Sequence, residues 1–353
     1  MQLLVSFAFS FFYTMRMQKI VTGFFYVGLI LVLLGSCKPK TENSDATSND
    51  SIPKDLILLN KKIEAEPNNA DNYNARANYY LDKKDFPSAA KDMVSAIHLD
   101  STKSSYFVTM ADIFFMSGQS GKSKRSLEKS LLLDSNNIQA LQRMAELYLY
   151  IKDNKKSISY LDKILHLDVH NAKAYFTKGV DFKELGDTAK AISSFQTVVE
   201  QDPEYYHAYI QLGLLFEAKH NPLALEYYTA ALKLNPKSVE AMYNMAMYCQ
   251  ENNKYNKAIE IYTNILKLDP QNKYANYNLG YIHYQFLKVY DVAAKHFTNA
   301  INCDNNYAQA VYMRGLCYET LGDIAKAAVD YNQALKIDPD YDKPAEGLQR
   351  LKK

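Results

Sequence analysis

The sequence predicts an all-α fold in which eight helix–turn–helix units stack into one array, with a further helix closing each end. Three observations carry this. The strings HLDS, LLDS, HLDV, EQDP, KLNP, KLDP, NCDN and KIDP place Asp100, Asp134, Asp168, Asp202, Asn235, Asp269, Asp304 and Asp338 at spacings of 33 to 35 residues. With Ala70 as position 1 of a 34-residue unit, position 8 is always small: Ala77, Ala111, Ala145, Gly179, Gly213, Ala246, Gly280 and Gly315. So is position 20: Ala89, Ser123, Ser157, Ala191, Ala224, Ala258, Ala293 and Ala327. Position 24 is always large: Met93, Leu127, Leu161, Phe195, Tyr228, Tyr262, Phe297 and Tyr331. A fixed period of this length marks a repeat architecture, in which each hairpin buries its apolar face only against its neighbours.

The elements follow in chain order. Residues 1–14, MQLLVSFAFSFFYT, add an apolar block ahead of the basic Arg16 and Lys19. Met15 or Met17 would each open an ordinary leader, so residues 1–14 read as an over-extended start. Residues 15–36 then form a secretory signal: a short basic region and the uncharged run IVTGFFYVGLILVLLGS with small residues at its end. The run from Ile20 to Ser36 is at the lower limit for spanning a bilayer, so an uncleaved anchor helix is the rival reading. Residues 37–54, polar and without apolar periodicity, read as a flexible tether. Residues 55–69 are a lone second helix covering the open face of the first unit. The units run 70–103, 104–137, 138–171, 172–205, 206–238, 239–272, 273–307 and 308–341. The fifth is one residue short and the seventh one residue long, both in the turn between helices. Pro203, Pro236, Pro270 and Pro339 stop the second helices, because the residue before proline is pushed out of the α region. Residues 342–353 form the closing amphipathic helix.

Two resemblances sharpen this. Leu34-Gly35-Ser36-Cys37 resembles a bacterial lipobox. That resemblance implies a diacylglycerol on the Cys37 sulfur, cleavage just before it, and a chain held on a membrane of the cell envelope. Lys38 fits export to the outer membrane, periplasmic face. The 34-residue pattern over residues 70–341 resembles the tetratricopeptide repeat family, which implies a right-handed α-α superhelix (a TPR solenoid). In that family the first helices line a concave groove at positions 2, 5, 9 and 12, offsets that share one helix face. In the first unit this stripe is mostly polar: Asp71, Asn74, Asn78 and Leu81. Later it includes Phe176, Val180, Ile210, Leu214, Tyr243 and Met247. It becomes Tyr274, Tyr277, Tyr281 and Tyr284 in the seventh unit, then Tyr312 and Leu316 in the eighth. Phe176, Ile210, Tyr243, Met247, Tyr274, Tyr277, Tyr281, Tyr284 and Tyr312 are therefore the candidate residues for gripping a protein or peptide partner. The alternative for these rings is packing on the next unit. Some members grip a C-terminal carboxylate with Lys and Asn at positions 5 and 9. Here Asn74 and Asn78 stand in the first unit and Asp112 intrudes in the second, which argues against such a clamp.

Composition narrows the function. Lys+Arg is 41 and Asp+Glu 39, with no basic cluster to recruit nucleic acid. Four cysteines, Cys37, Cys249, Cys303 and Cys317, make neither a disulfide framework nor a CxxC metal site. GQSGKS at 118–123 lacks the first glycine of a phosphate loop, Met116 standing in its place, and follows a helix rather than a strand. His166 and His170 are four apart, but the helix should stop near Asp168. No metal or cofactor is expected, and no nucleophile, base and orienter set emerges. The expectation is a non-catalytic scaffold supporting an envelope assembly or secretion complex. The rivals are the same scaffold on a transmembrane anchor, or an envelope enzyme using groove acids such as Asp112, Glu146, Glu184, Glu217 and Glu319.

Overall fold

A computed structural model describes residues 53–352, and Pro53–Lys353 form a compact unit in their own right. Cys37, the leader and most of the tether lie outside the described residues. Within the unit every regular element is helical. Helix α1 (Lys54–Ala65) leads into eight hairpins. These are α2 and α3 (Ala70–Asp82, Phe86–Leu99), α4 and α5 (Ser104–Met116, Ser120–Leu133), α6 and α7 (Ile138–Tyr150, Asn154–Leu167), and α8 and α9 (Ala172–Glu184, Thr188–Gln201). They continue with α10 and α11 (Tyr206–Glu217, Leu223–Leu234), α12 and α13 (Val239–Glu251, Tyr255–Leu268), α14 and α15 (Lys273–Ile282, Tyr290–Cys303), and α16 and α17 (Ala308–Thr320, Ile324–Ile337). Helix α18 (Asp342–Arg350) closes the array. Each helix packs first on its hairpin partner and then on the next hairpin, so the fold is an α-α solenoid of the predicted kind.

The recurring aspartate is a connector. It caps the second helix, its N–H reaching back to the carbonyl four residues earlier, as Asp100 does to Ala96. Its side chain then accepts the backbone N–H two residues on: Asp134 from Asn136 at 3.0 Å, Asp202 from Glu204 at 3.1 Å, Asp304 from Asn306 at 3.0 Å. This Asx turn aims the chain into the next unit. The next helix begins on a side-chain cap at Asn69, Asn137, Asn171, Ser238 and Asn272.

The turn inside each hairpin carries one left-handed residue: Lys84, Gly118, Lys152, Gly186, His220, Asn253, Lys288 and Gly322. Gly118, the phosphate-loop look-alike, is such a turn residue at φ +76°, and Gly121 lies inside α5. One detail departs from expectation. The extra residue of the seventh unit is absorbed not in the turn but by a π-helical winding at the end of its first helix, His283–Leu287, before Lys288 turns left-handed. The first closing helix also runs Lys54–Ala65 rather than 55–69, the chain after it being the turn into Asn69.

Positions 8 and 20 are where the paired helices meet. A Cβ on Gly213 would stand 2.3 Å from the Tyr228 ring, and one on Gly179 2.7 Å from Phe195. Those rings lie flat on bare helix backbone and are wholly buried. At the C-terminal end the Tyr331 ring is clasped between Gly315 and Gly347 of α18, so the closing helix seals the last hairpin. Buried ion pairs fix the two end repeats. Arg76 donates to both oxygens of Asp92 at 2.7 Å, and Arg314 does the same to Asp330 at 2.7 and 2.8 Å. Both pairs join position 7 to position 23.

Candidate functional site

The stripe residues sit on the first helices as the register requires, but they are not equally available. Ile210 is 1% exposed and Tyr312 8%. Ile210 packs into the cluster holding Phe195 and Leu212, and Tyr312 is wedged between Tyr331 (5.6 Å between ring centroids) and Tyr341 (5.3 Å). These two expected groove residues are core, because position 5 leans toward the following hairpin where a side chain there meets it. Phe176, Tyr243, Met247, Tyr274, Tyr277, Tyr281 and Tyr284 are half-buried.

Rings of repeats 6 and 7 form a continuous run. Tyr262 contacts Tyr243, Tyr243 contacts Tyr274, and Tyr274 contacts Tyr307, with centroids 6.0 to 6.3 Å apart and near-perpendicular planes. Tyr307 in turn meets Tyr277 at 5.2 Å, and Tyr277 meets Phe297 at 5.5 Å. Lys273 lies over Tyr274 and Tyr307 and is ion-paired to Asp304. Beyond the π turn, Tyr281 meets Phe286, and Phe286 stacks on Tyr255 at 4.1 Å. The stripe rings pack on one another and on adjoining helices with part of their surface, as the packing reading expects, and are not wholly buried. Burial pushes the phenols of Tyr277 and Tyr307 above their ordinary range, and the neighbouring tyrosines add to it. They stay neutral hydrogen-bonding hydroxyls.

Sequence reasoning missed Tyr205, Tyr307 and Tyr341. They are the last residues of their units, just before the following helix, where other units have a capping Asn or Ser, and no side-chain cap forms there. Their rings instead meet the position-5 aromatic of the unit they close: Tyr205 stacks on Phe176 at 5.0 Å, Tyr307 lies tilted on Tyr277, and Tyr341 meets Tyr312 edge to face. The signal was present as an aromatic replacing a cap in the same units that have an aromatic at position 5.

The first half of the stripe is ionic. Arg143 Nε donates to Asp112 at 2.8 Å and its Nη1 to Glu146 at 2.9 Å, and Lys173 joins Glu146 at 2.9 Å. Gln142 bridges Glu146 and Thr177. Burial pushes the Asp112 carboxyl up despite Arg143. Burial also acts on Glu146, but Lys173, Gln142 and Arg143 outweigh it and hold that carboxyl down. The other acids singled out from the sequence are engaged too. Glu184 accepts from Asn154, Glu217 from the Tyr228 hydroxyl, and Glu319 from Tyr331 and from both Nε and Nη2 of Arg350. Glu217 and Glu319 share position 12, yet burial pushes Glu217 up to about 7 while Arg350 holds Glu319 below its usual range.

The remaining sequence candidates are structural. His166 lies in the last turn of α7, and His170 beyond it makes a 2.8 Å hydrogen bond with Gln201. Cys249 and Cys317 are buried free thiols, and Cys303 is half-buried. Among the described residues no helix is long and apolar enough to cross a membrane.

Comparisons with known proteins agree with this geometry. Tetratricopeptide repeat family profiles match residues 176–222, 215–275 and 308–341. Among solved structures, that of pilF from Pseudomonas aeruginosa is similar at a TM-score of 0.51 and 15% identity, covering 57% of this chain and 92% of its own. A tetratricopeptide repeat protein from Parabacteroides merdae gives 0.49 and 17%, covering 71% and 99%. The C-terminal part of a repeat-containing protein from Cytophaga hutchinsonii gives 0.48 and 24%, covering 62% and 91%. A search of curated protein sequences found no match. The register, the hairpin packing and the family profiles agree: the chain is a tetratricopeptide repeat protein.

Proposed function

We propose that the array is the working part of a non-catalytic adaptor lipoprotein. Cys37 ties it to the outer membrane on the periplasmic face, and the first-helix stripe of repeats 6 and 7 holds a protein or peptide segment of an envelope assembly or secretion complex. Tetratricopeptide arrays are protein-interaction scaffolds, and the groove and the anchor are the steps taken here. The observation that carries the groove is the half-buried run Tyr243, Met247, Tyr274, Tyr277, Tyr281 and Tyr284. A tyrosine offers broad apolar area and a hydroxyl. Rings already fixed by their neighbours lose little side-chain freedom when a partner docks.

A photo-crosslinking residue in place of Met247 tests the groove, with the same residue in place of Leu132, 78% exposed on a second helix, as control. A discrete adduct in cells is expected from position 247 alone. Equal labelling at both sites would sink the reading. Intact mass of the membrane-extracted protein tests the anchor: a chain starting at acylated Cys37 supports it, and one retaining residues 15–36 makes the anchor a helix.

A further inference from the structure

The hairpin-turn edge of repeats 2 and 3 gathers exposed apolar side chains from two adjacent turns. At the ends of α4 and α6, Phe115, Met116, Tyr150 and Ile151 are 36%, 49%, 53% and 50% exposed. Phe115 and Tyr150 touch edge to face at 5.2 Å, so the two turns present one apolar patch rather than separate side chains. Lysines crowd it. Lys124 pairs with Glu128 and Lys156 with Asp153. Lys122, Lys152 and Lys155 are exposed and make no ion pair among the described residues. Lys152 is the left-handed residue at the apex of its turn, φ +61°, next to Ile151. The opposite edge, where units connect, carries Asp100, Asp134, Asp168, Asp202, Asp269, Asp304 and Asp338.

We propose that this edge docks on an anionic lipid bilayer surface. The apolar tips of two adjacent turns enter the interfacial layer while the lysines extend to lipid phosphates, the division of labour that long cationic side chains allow. Charge complementarity selects the anionic surface: the positive charge is left over after local pairing, and the acidic edge faces away. The shape selects a bilayer over a peptide, because the patch stands on turn apices and has no groove to receive a strand or helix. This contact lays the array against a membrane and is independent of whether Cys37 carries lipid.

The test uses residues 53–353, a compact unit lacking Cys37 and the leader, so its outcome is separate from that of the anchor. Sedimentation is measured with phosphatidylcholine vesicles, with and without phosphatidylglycerol. Binding only to the anionic vesicles is expected. Lys122→Gln, Lys152→Gln and Lys155→Gln should each weaken it about fivefold. Lys233→Gln with Lys237→Gln, away from the patch, should leave it unchanged. The chain has no tryptophan, so Ile151→Trp supplies a single reporter whose emission should shift to the blue on binding. No binding to anionic vesicles, binding indifferent to the three lysines, or an unshifted emission would each overturn the proposal. Binding to polyglutamate without binding to vesicles would overturn it too, assigning the edge to an acidic protein.

Discussion

Repeats 1 to 3 and repeats 4 to 8 solve the same packing problem in two ways. In the first three, position 24 is Met93, Leu127 or Leu161 and position 8 is alanine. In repeats 4, 5, 7 and 8, position 24 is aromatic and position 8 is glycine, the ring occupying the space a Cβ would fill. Repeat 6 keeps Ala246 beneath Tyr262. The stripe changes with the core. It is ionic in repeats 2 and 3, through Asp112, Arg143 and Glu146, with Lys173 of repeat 4 joining Glu146, and aromatic in repeats 6 and 7. The link is physical: a position-5 ring rests against the position-24 ring of its own unit, as Phe176 on Phe195 and Tyr277 on Phe297 do. One half of the array is thus held by aliphatic cores and charge pairs, and the other by aromatic cores and rings.

The comparison breaks most visibly at Gly213. Gly213→Leu forces the buried Tyr228 ring off its seat and should cost about 3 kcal/mol, read as a lower urea midpoint at constant slope. Gly213→Ala should cost less, and much of that loss should be recovered with Tyr228→Leu, which recreates the chemistry of repeats 1 to 3. The expected coupling is about 1–2 kcal/mol in a double-mutant cycle.

Glu217 sharpens the comparison through pH. Burial raises its carboxyl from 4.5 to about 7. The folded state therefore holds more protons than the unfolded chain across that window, and stability falls as pH rises through it. Glu217→Gln should remove that slope and stabilise the protein by about 1–2 kcal/mol at pH 8, checked by urea melts across pH. Asp181, raised to about 6 by burial with one oxygen unbonded, acts in the same direction. The place that Arg350 takes in the closing helix is held by Met247 in repeat 6. Met247→Arg should give Glu217 the partner Glu319 has and flatten the same pH slope.

The smallest expected effects are in the hairpin turns. Gly322 has open space around its missing Cβ, so Gly322→Ala should cost about 1 kcal/mol from its φ of +82° alone. Lys288→Gly, relieving the left-handed residue after the π turn, should stabilise by about 0.5 kcal/mol in thermal melts. No gain from Lys288→Gly would show that the π winding, not the turn residue, sets the local energy.

Much of this was legible in the sequence. The period, the small residues at positions 8 and 20 and the prolines after the connecting Asp located every hairpin, because those features serve local geometry that a linear pattern records. The candidate surface was legible only in part. The stripe marked which helix face carries the aromatics, but not that Ile210 and Tyr312 are sealed in. Nor did it show that Tyr205, Tyr307 and Tyr341 pack on the position-5 rings, since each contact joins residues some thirty positions apart. The acids of the stripe, candidates for a rival enzyme in sequence, are engaged in space, Glu217 by Tyr228 and Glu319 by Arg350.

By itself the sequence determined the architecture: eight hairpins, their register, and which side chains line each helix face. Those follow from steric rules acting within some tens of residues. The tertiary structure alone decided availability and charge: which rings keep open surface, which carboxylates are held ionised, and where two turns merge into one apolar and basic edge. These properties arise between units a full period apart in the chain, where proximity comes from stacking and burial sets the strength of every charge.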